Sequence, residues 1–118
     1  MQFTTSSLTA EPCDDEYDNM ANLSCLAENG YWFALSRFPD EEQVQITTED
    51  SEVSLNGLTI TLKPGSLMVT FSPEAAKLLP KGHDHYEVIH KTSERDMPEV
   101  LETLRLILEG TGMLVNEL

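Results

Sequence analysis

An α+β domain, an antiparallel β-meander of five to seven strands with a short helix and a carboxyl-terminal amphipathic helix packed on the sheet, is the fold class this sequence predicts. Three observations predict it. Short β-prone runs alternate apolar and polar residues; the tight-turn pairs Asn29-Gly30 and Asn56-Gly57 punctuate them; and one stripe of apolar residues at helical spacing lies near the end. The 118 residues correspond to a single domain over 1–118, long enough to remove about two-thirds of the unfolded surface from water. Apolar residues at 40% and the aromatics Phe3, Tyr17, Tyr31, Trp32, Phe33, Phe38, Phe71 and Tyr86 can furnish one core.

Met1 to Leu8, with Phe3, Thr4 and Thr5, reads as a first strand, and Glu11 to Asn19 as a loop too polar to continue it. Met20–Ala27 and Tyr31–Arg37 flank Asn29-Gly30 and form the clearest hairpin in the chain. Phe38-Pro39-Asp40-Glu41-Glu42 breaks it, after which Val44, Ile46 and Thr48 alternate with Gln45 and Thr47 as a half-buried strand. Asn56-Gly57 leads into Leu58–Leu62, and Lys63-Pro64-Gly65-Ser66 turns that strand into Leu67–Phe71. Ser72 caps a short helix with Pro73 at its first position and Glu74 in its first turn. Tyr86–Ile89 is a short strand near an edge. The final helix carries Asp96 and Glu99 at capping-box spacing and Pro98 in its first turn. Its buried stripe is Val100, Leu101, Leu104, Ile107 and Leu108, and Gly110 stops it. The apolar tail Met113-Leu114-Val115 either covers the domain's own core or supports a homodimer.

Charge is the unusual property. The formal net charge is −14, and from Met1 to Leu62 twelve acidic residues face a single basic one, Arg37. Self-repulsion of this size adds nothing to folding; solubility is one reason to keep it and a basic partner is the other. Nucleic acid and anionic membranes would be repelled, so neither is expected as a partner. No basic, apolar leader and no apolar span of about 20 residues is present, which predicts a cytoplasmic protein. Two cysteines, Cys13 and Cys25, are too few for a disulfide framework and read as free thiols.

Few motifs point to chemistry. Asp14-Asp15-Glu16-Tyr17-Asp18-Asn19 is rich in oxygen ligands, but an EF-hand loop beginning at Asp14 would need Gly where Asn19 stands and Glu where Cys25 stands. His83, His85 and His90 could meet zinc only if strand alternation did not send His90 to the opposite face, so surface histidines are the better reading. Cys25 falls within a strand and Cys13 among acids that raise a thiol pKa, which disfavours a nucleophile. Phosphate loops, nucleophile elbows and HExxH helices are absent. The expectation is therefore a non-enzyme with no cofactor and no metal. Alternation puts Tyr31, Phe33 and Leu35 on one face and Trp32 on the other, where it either anchors an interface or covers the sheet.

Read in order, Phe3-Thr4, Thr9-Ala10-Glu11, the acidic loop, the Tyr31–Arg37 strand, Val44–Glu52, Leu58–Leu62, Leu67–Phe71 leading into Ser72-Pro73-Glu74-Ala75-Ala76, and a helix ending Leu104-Arg105-Leu106-Ile107-Leu108 resemble the bacterial immunity protein 10 family. The likeness lies in order and spacing. It departs after the fourth strand, where Glu49-Asp50-Ser51 replaces an acidic-Gln pair. The resemblance implies an intracellular protein that binds and neutralises a cognate polymorphic or contact-dependent toxin domain, and it supplies no catalytic residues. If that toxin is a basic nuclease, an acidic face could occupy its cleft, with charge steering the encounter and apolar anchors slowing release. The expected contact surface is Asp14, Asp15, Glu16 and Asp18, then Asp40, Glu41 and Glu42, then Glu49, Asp50 and Glu52, with Trp32 as anchor. The rival readings are a non-immunity acidic interaction module or DNA-mimic inhibitor of a basic protein, and a small hydrolase or metal enzyme.

Overall fold

The computed structural model describes residues 1–79 and 85–118, and within these leaves the side chains of Asp14 and Tyr17 undescribed. Strands alternate their side chains between two faces, so each half-apolar run must find a second layer to bury that half. The chain does so with two sheets. In order the elements are β1 (Gln2–Thr5), β2 (Thr9–Asp14), a 3-10 turn (Asp15–Tyr17), β3 (Met20–Leu26), β4 (Trp32–Arg37), β5 (Val44–Thr48), β6 (Glu52–Leu55), β7 (Leu58–Lys63), β8 (Ser66–Phe71), α1 (Pro73–Ala76), β9 (His85–His90), α2 (Met97–Leu108) and β10 (Gly112–Asn116). Among the described residues these strands form one sheet in the order β1-β9-β8-β7-β10 and another in the order β2-β3-β4-β5-β6.

The α+β class, the short helix and the terminal helix on the sheet stand as the sequence predicts, while among the described residues the strands number ten in two sheets. Three differences account for the higher count. Thr9–Asp14, expected as a loop from Glu11 onward, pairs antiparallel with β3, with a register shift between Glu11 and Asp14; backbone pairing at a sheet edge tolerates polar side chains that local composition assigns to a loop. Glu52–Leu55 pairs with β5, so Asn56-Gly57 does not close a hairpin but carries the chain from the second sheet into the first, with Gly57 at φ 81°. Finally, β1 and β10 join β9 and β7 in parallel, flanking the antiparallel β9-β8-β7 set.

The inner faces meet in one core. Leu23, Phe33, Leu35, Val44 and Ile46 of the second sheet and Ile60, Leu62, Leu67, Val69, Tyr86 and Val88 of the first belong to the same buried cluster. A run of aromatic contacts crosses the layers: Tyr31 meets Phe3, Phe3 meets Phe33, Phe33 meets Tyr86 and Tyr86 meets Phe71, with ring centroids 5.0–6.1 Å apart. The tilted and edge-on geometries are those that aromatic quadrupoles favour.

Ser72 caps α1 by accepting the Ala75 N–H at 3.2 Å, with Pro73 in the first turn. Helix α2 packs against β2, β3 and β4 of one sheet and β10 of the other. Its buried residues are Met97, Val100, Thr103, Leu104, Ile107 and Leu108, whereas Leu101 is half-exposed. Asp96 makes no side-chain cap bond because its own backbone is helical, at φ −91° and ψ −13°; its carboxylate instead accepts the Ser93 hydroxyl at 2.9 Å. No helix among the described residues is long and apolar enough to cross a membrane.

Candidate partner-binding surface

The outer face of the second sheet follows from the β3–β4 register, which pairs Asn22 with Ser36, Ser24 with Ala34 and Leu26 with Trp32. With Phe33, Leu35 and Leu23 turned into the core, alternation turns these residues outward. The middle of that face is built of small side chains, and Ser36 donates to Asn22 Oδ1 at 2.9 Å. Trp32 and Leu26 stand opposite one another at its end, 38% and 59% exposed, forming a cross-strand apolar pair. Trp32 is thus on the solvent side, as alternation requires, with Leu26 as a neighbour that the hairpin register alone identifies.

The acidic candidates separate to the two ends of this sheet. At the Trp32 end, the turns Ala27–Tyr31 and Glu49–Ser51 lie side by side: the Tyr31 hydroxyl donates to Asp50 Oδ2 at 3.1 Å, and the Asp50 and Ser51 N–H groups donate to Thr48 Oγ1. Burial raises the Tyr31 pKa, the Thr48 hydroxyl opposes this, and the Asp50 and Glu49 carboxylates add to it. Glu49, Asp50 and Glu52 are exposed there, and Glu28 joins them. Glu52 accepts a hydrogen bond from Gln45 Nε2 across the β5–β6 pair.

At the opposite end the 3-10 turn and the β4–β5 loop come together. Asp18, Asn19, Phe38, Pro39, Asp40 and Glu41 line one open hollow. A second hollow of about 320 Å³ shares Asn19, Phe38 and Pro39 with it and is completed by Pro12, Ala21, Arg37, Leu106 and Glu109. Asp18 and Asn19 hold left-handed backbone at φ 54° and 64°, a region Asp and Asn enter at less cost than other side-chain-bearing residues. Asp15, Glu16, Asp40, Glu41 and Glu42 are exposed here; the Asp14 side chain lies outside the described residues. Glu109 could not be assigned to this end from sequence spacing, since only the return of α2 brings it there.

Arg37 explains why the acidity is not neutralised locally. Its Nη1 donates to the carbonyls of Ile107 and Glu109, and its Nε donates to the Glu41 carbonyl at 3.2 Å. The one cation of the acidic half is therefore a cap on the carboxyl end of α2, where the helix dipole favours positive charge. Among the described residues the ion pair is Lys63–Glu117, on the first sheet.

Cys25 is buried, which pushes its thiol pKa up to about 11, and Cys13 is exposed and donates to Asn19 Oδ1 at 3.4 Å. No group of three or more His, Cys, Asp or Glu among the described residues is placed to hold a metal. His83 lies outside the described residues. His90, expected on the surface, is 2% exposed; alternation in β9 turns it inward with Tyr86 and Val88, while His85 faces the other way. The geometry defines an α+β protein with two sheets, one of which carries exposed carboxylates at both of its ends. Neither a family model, a curated protein nor a solved structure matches the chain.

Proposed function

We propose that this protein is an immunity protein that binds a cognate bacterial toxin domain in the producing cell's cytoplasm and neutralises it through the acidic ends of the second sheet. The observation that carries the reading is the use of Arg37: the only basic residue before Lys63 is committed to helix carbonyls, leaving Asp15, Asp18, Asp40 and Glu41 exposed to solvent. Rigid, like-charged loops raise the rate at which a basic partner arrives. The exposed Trp32–Leu26 pair supplies an apolar anchor of the kind that slows departure.

The test is capture of partners from the native host's lysate at physiological salt, followed by expression of the captured domain. One stoichiometric partner that arrests growth when expressed alone, and is harmless when this chain is co-expressed, is the expected result. A salt-labile mixture of basic proteins would instead indicate general charge mimicry.

A further inference from the structure

The two hollows where the 3-10 turn meets the β4–β5 loop differ in character. The one of about 320 Å³ is walled mainly by Pro12, Ala21, Phe38, Pro39 and Leu106, and Leu106 is 37% exposed beside it. That volume lies at the small end of ligand pockets, about 300–1,000 Å³, and leaves room for a side chain rather than a folded element. The other hollow is more open and is lined by Asp18, Asp40 and Glu41, all exposed. Asn19, Phe38 and Pro39 line both, so a ligand seated in the first reaches the second along the surface.

The walls are fixed before any ligand arrives. Ala21 and Arg37 are register partners on β3 and β4, Pro12 lies on β2 and Leu106 on α2. The Arg37 guanidinium donates to the Glu41 carbonyl and to the Ile107 and Glu109 carbonyls, which ties the β4–β5 loop to the end of α2 beside the hollow. A site held in this way loses little freedom on binding. Charge then divides the pair. In the apolar hollow Arg37 and Glu109 balance one another, whereas Asp18, Asp40 and Glu41 leave the open one with surplus negative charge. An anion is opposed there, and no group of three or more His, Cys, Asp or Glu among the described residues is placed to hold a metal. An organic cation attached to an apolar group fits both halves.

We propose that the joined hollows receive a large apolar residue and an adjacent basic residue of a partner protein, the apolar side chain among Phe38, Pro39 and Leu106 and the cation against Asp18, Asp40 and Glu41. Charge complementarity selects this occupant. A second copy, with 7 basic residues against 21 acidic ones, is repelled from this end. Aromatic and arginine side chains seated in pockets carry much of the binding energy of protein interfaces, and this pair of hollows takes one of each. The inference rests on the acidic end being a partner surface and adds a second anchor at the end opposite Trp32 and Leu26; it does not require that partner to be a toxin.

Chemical-shift titration of the isotope-labelled full chain with N-acetyl-Phe-Arg-amide at physiological salt tests it. N-acetyl-Phe-citrulline-amide, which lacks the charge, and N-acetyl-Ala-Arg-amide, which lacks the apolar group, are the comparisons. The Phe-Arg probe should bind saturably in the millimolar range and move the amides of Asn19, Ala21, Phe38, Asp40 and Leu106, with each comparison at least fivefold weaker. Asp18→Asn with Asp40→Asn should abolish the preference for arginine over citrulline, and Leu106→Ser should lower the preference for Phe over Ala, with circular dichroism unchanged in both. A probe that moves no amide at this end, moves Glu49, Asp50 and Glu52 equally, or binds no better than either comparison overturns the proposal, as does a double Asn variant that still prefers arginine. No toxin enters the titration, so its failure beside a captured toxin refutes this inference alone, and its success without one refutes the toxin reading alone.

Discussion

Arg37 joins three segments distant in sequence: strand β4, the Glu41 loop and the end of α2. Charge-assisted hydrogen bonds of this kind are each worth about 1.5–3 kcal/mol, less where water reaches them. Arg37→Ala should lower stability by about 1–3 kcal/mol in urea denaturation, with Arg37→Lys losing less. His90 is a second residue whose role the sequence hides. Thr92 Oγ1 accepts the Leu8 N–H at 2.9 Å and lies 2.9 Å from His90 Nδ1. The Nε2 of the same ring is a buried atom without a hydrogen-bond partner among the described residues. Burial holds its pKa below the ordinary 6.5, with the Ser66 and Lys63 backbone partly opposing the shift. The unfolded chain takes up a proton near 6.5 and the folded chain resists it, so this contribution is present above that pH and is lost as pH falls below it. Between about pH 7.5 and about pH 5.5 the wild type should lose urea resistance, and His90→Phe should show a smaller loss over the same range. The acidic residues were legible as exposed because charge reports burial directly, whereas strand parity placed Trp32 opposite Phe33 without deciding between an exposed anchor and a cover for the sheet. His90 was not legible, because a polar side chain carries no local sign that its strand face is the inner one.

Helix α2 was legible through its period: Val100, Leu104, Ile107 and Leu108 recur at helical spacing and all four are buried. Leu104→Ala, at a fully buried site, should cost about 2–5 kcal/mol in thermal or urea unfolding. A loss below half of that range's lower end would mean that the helix does not bury this stripe. The β3–β4 hairpin was equally legible, since Asn29-Gly30 and the flanking alternation agree. Strands β2 and β10 were not: β2 is polar enough to read as a loop although it pairs with the next strand, and β10 is fixed by β7, some fifty residues back along the chain. Gly112 shows how closely β10 is held: an added Cβ would come within 2.8 Å of both the Leu58 carbonyl oxygen and Leu108 Cδ2. Backbone cannot retreat as a side chain can, so Gly112→Ala should destabilise by about 1–3 kcal/mol. Unchanged melting of that variant would mean that β10 is not seated between β7 and α2.

At the scale of the whole molecule, the acidity read from composition becomes two separated patches, with Asp15, Asp18 and Asp40 at one end of the second sheet and Glu49, Asp50 and Glu52 at the other. Composition revealed the amount of charge; only the fold reveals its division, because sheet register decides which turns share an end. The two-layer architecture gives the patches rigidity, since both are carried on turns between paired strands of one core. Electrostatic steering makes a specific demand of such an arrangement: association should be fast at low salt and slow once the charge is reversed. The most direct measurement is the association rate of the captured partner with wild type and with Asp15→Lys/Asp18→Lys/Asp40→Lys at low salt, with folding of the variant verified by circular dichroism. Binding through the acidic surface predicts at least a tenfold slower association for the variant; an unchanged rate would contradict it.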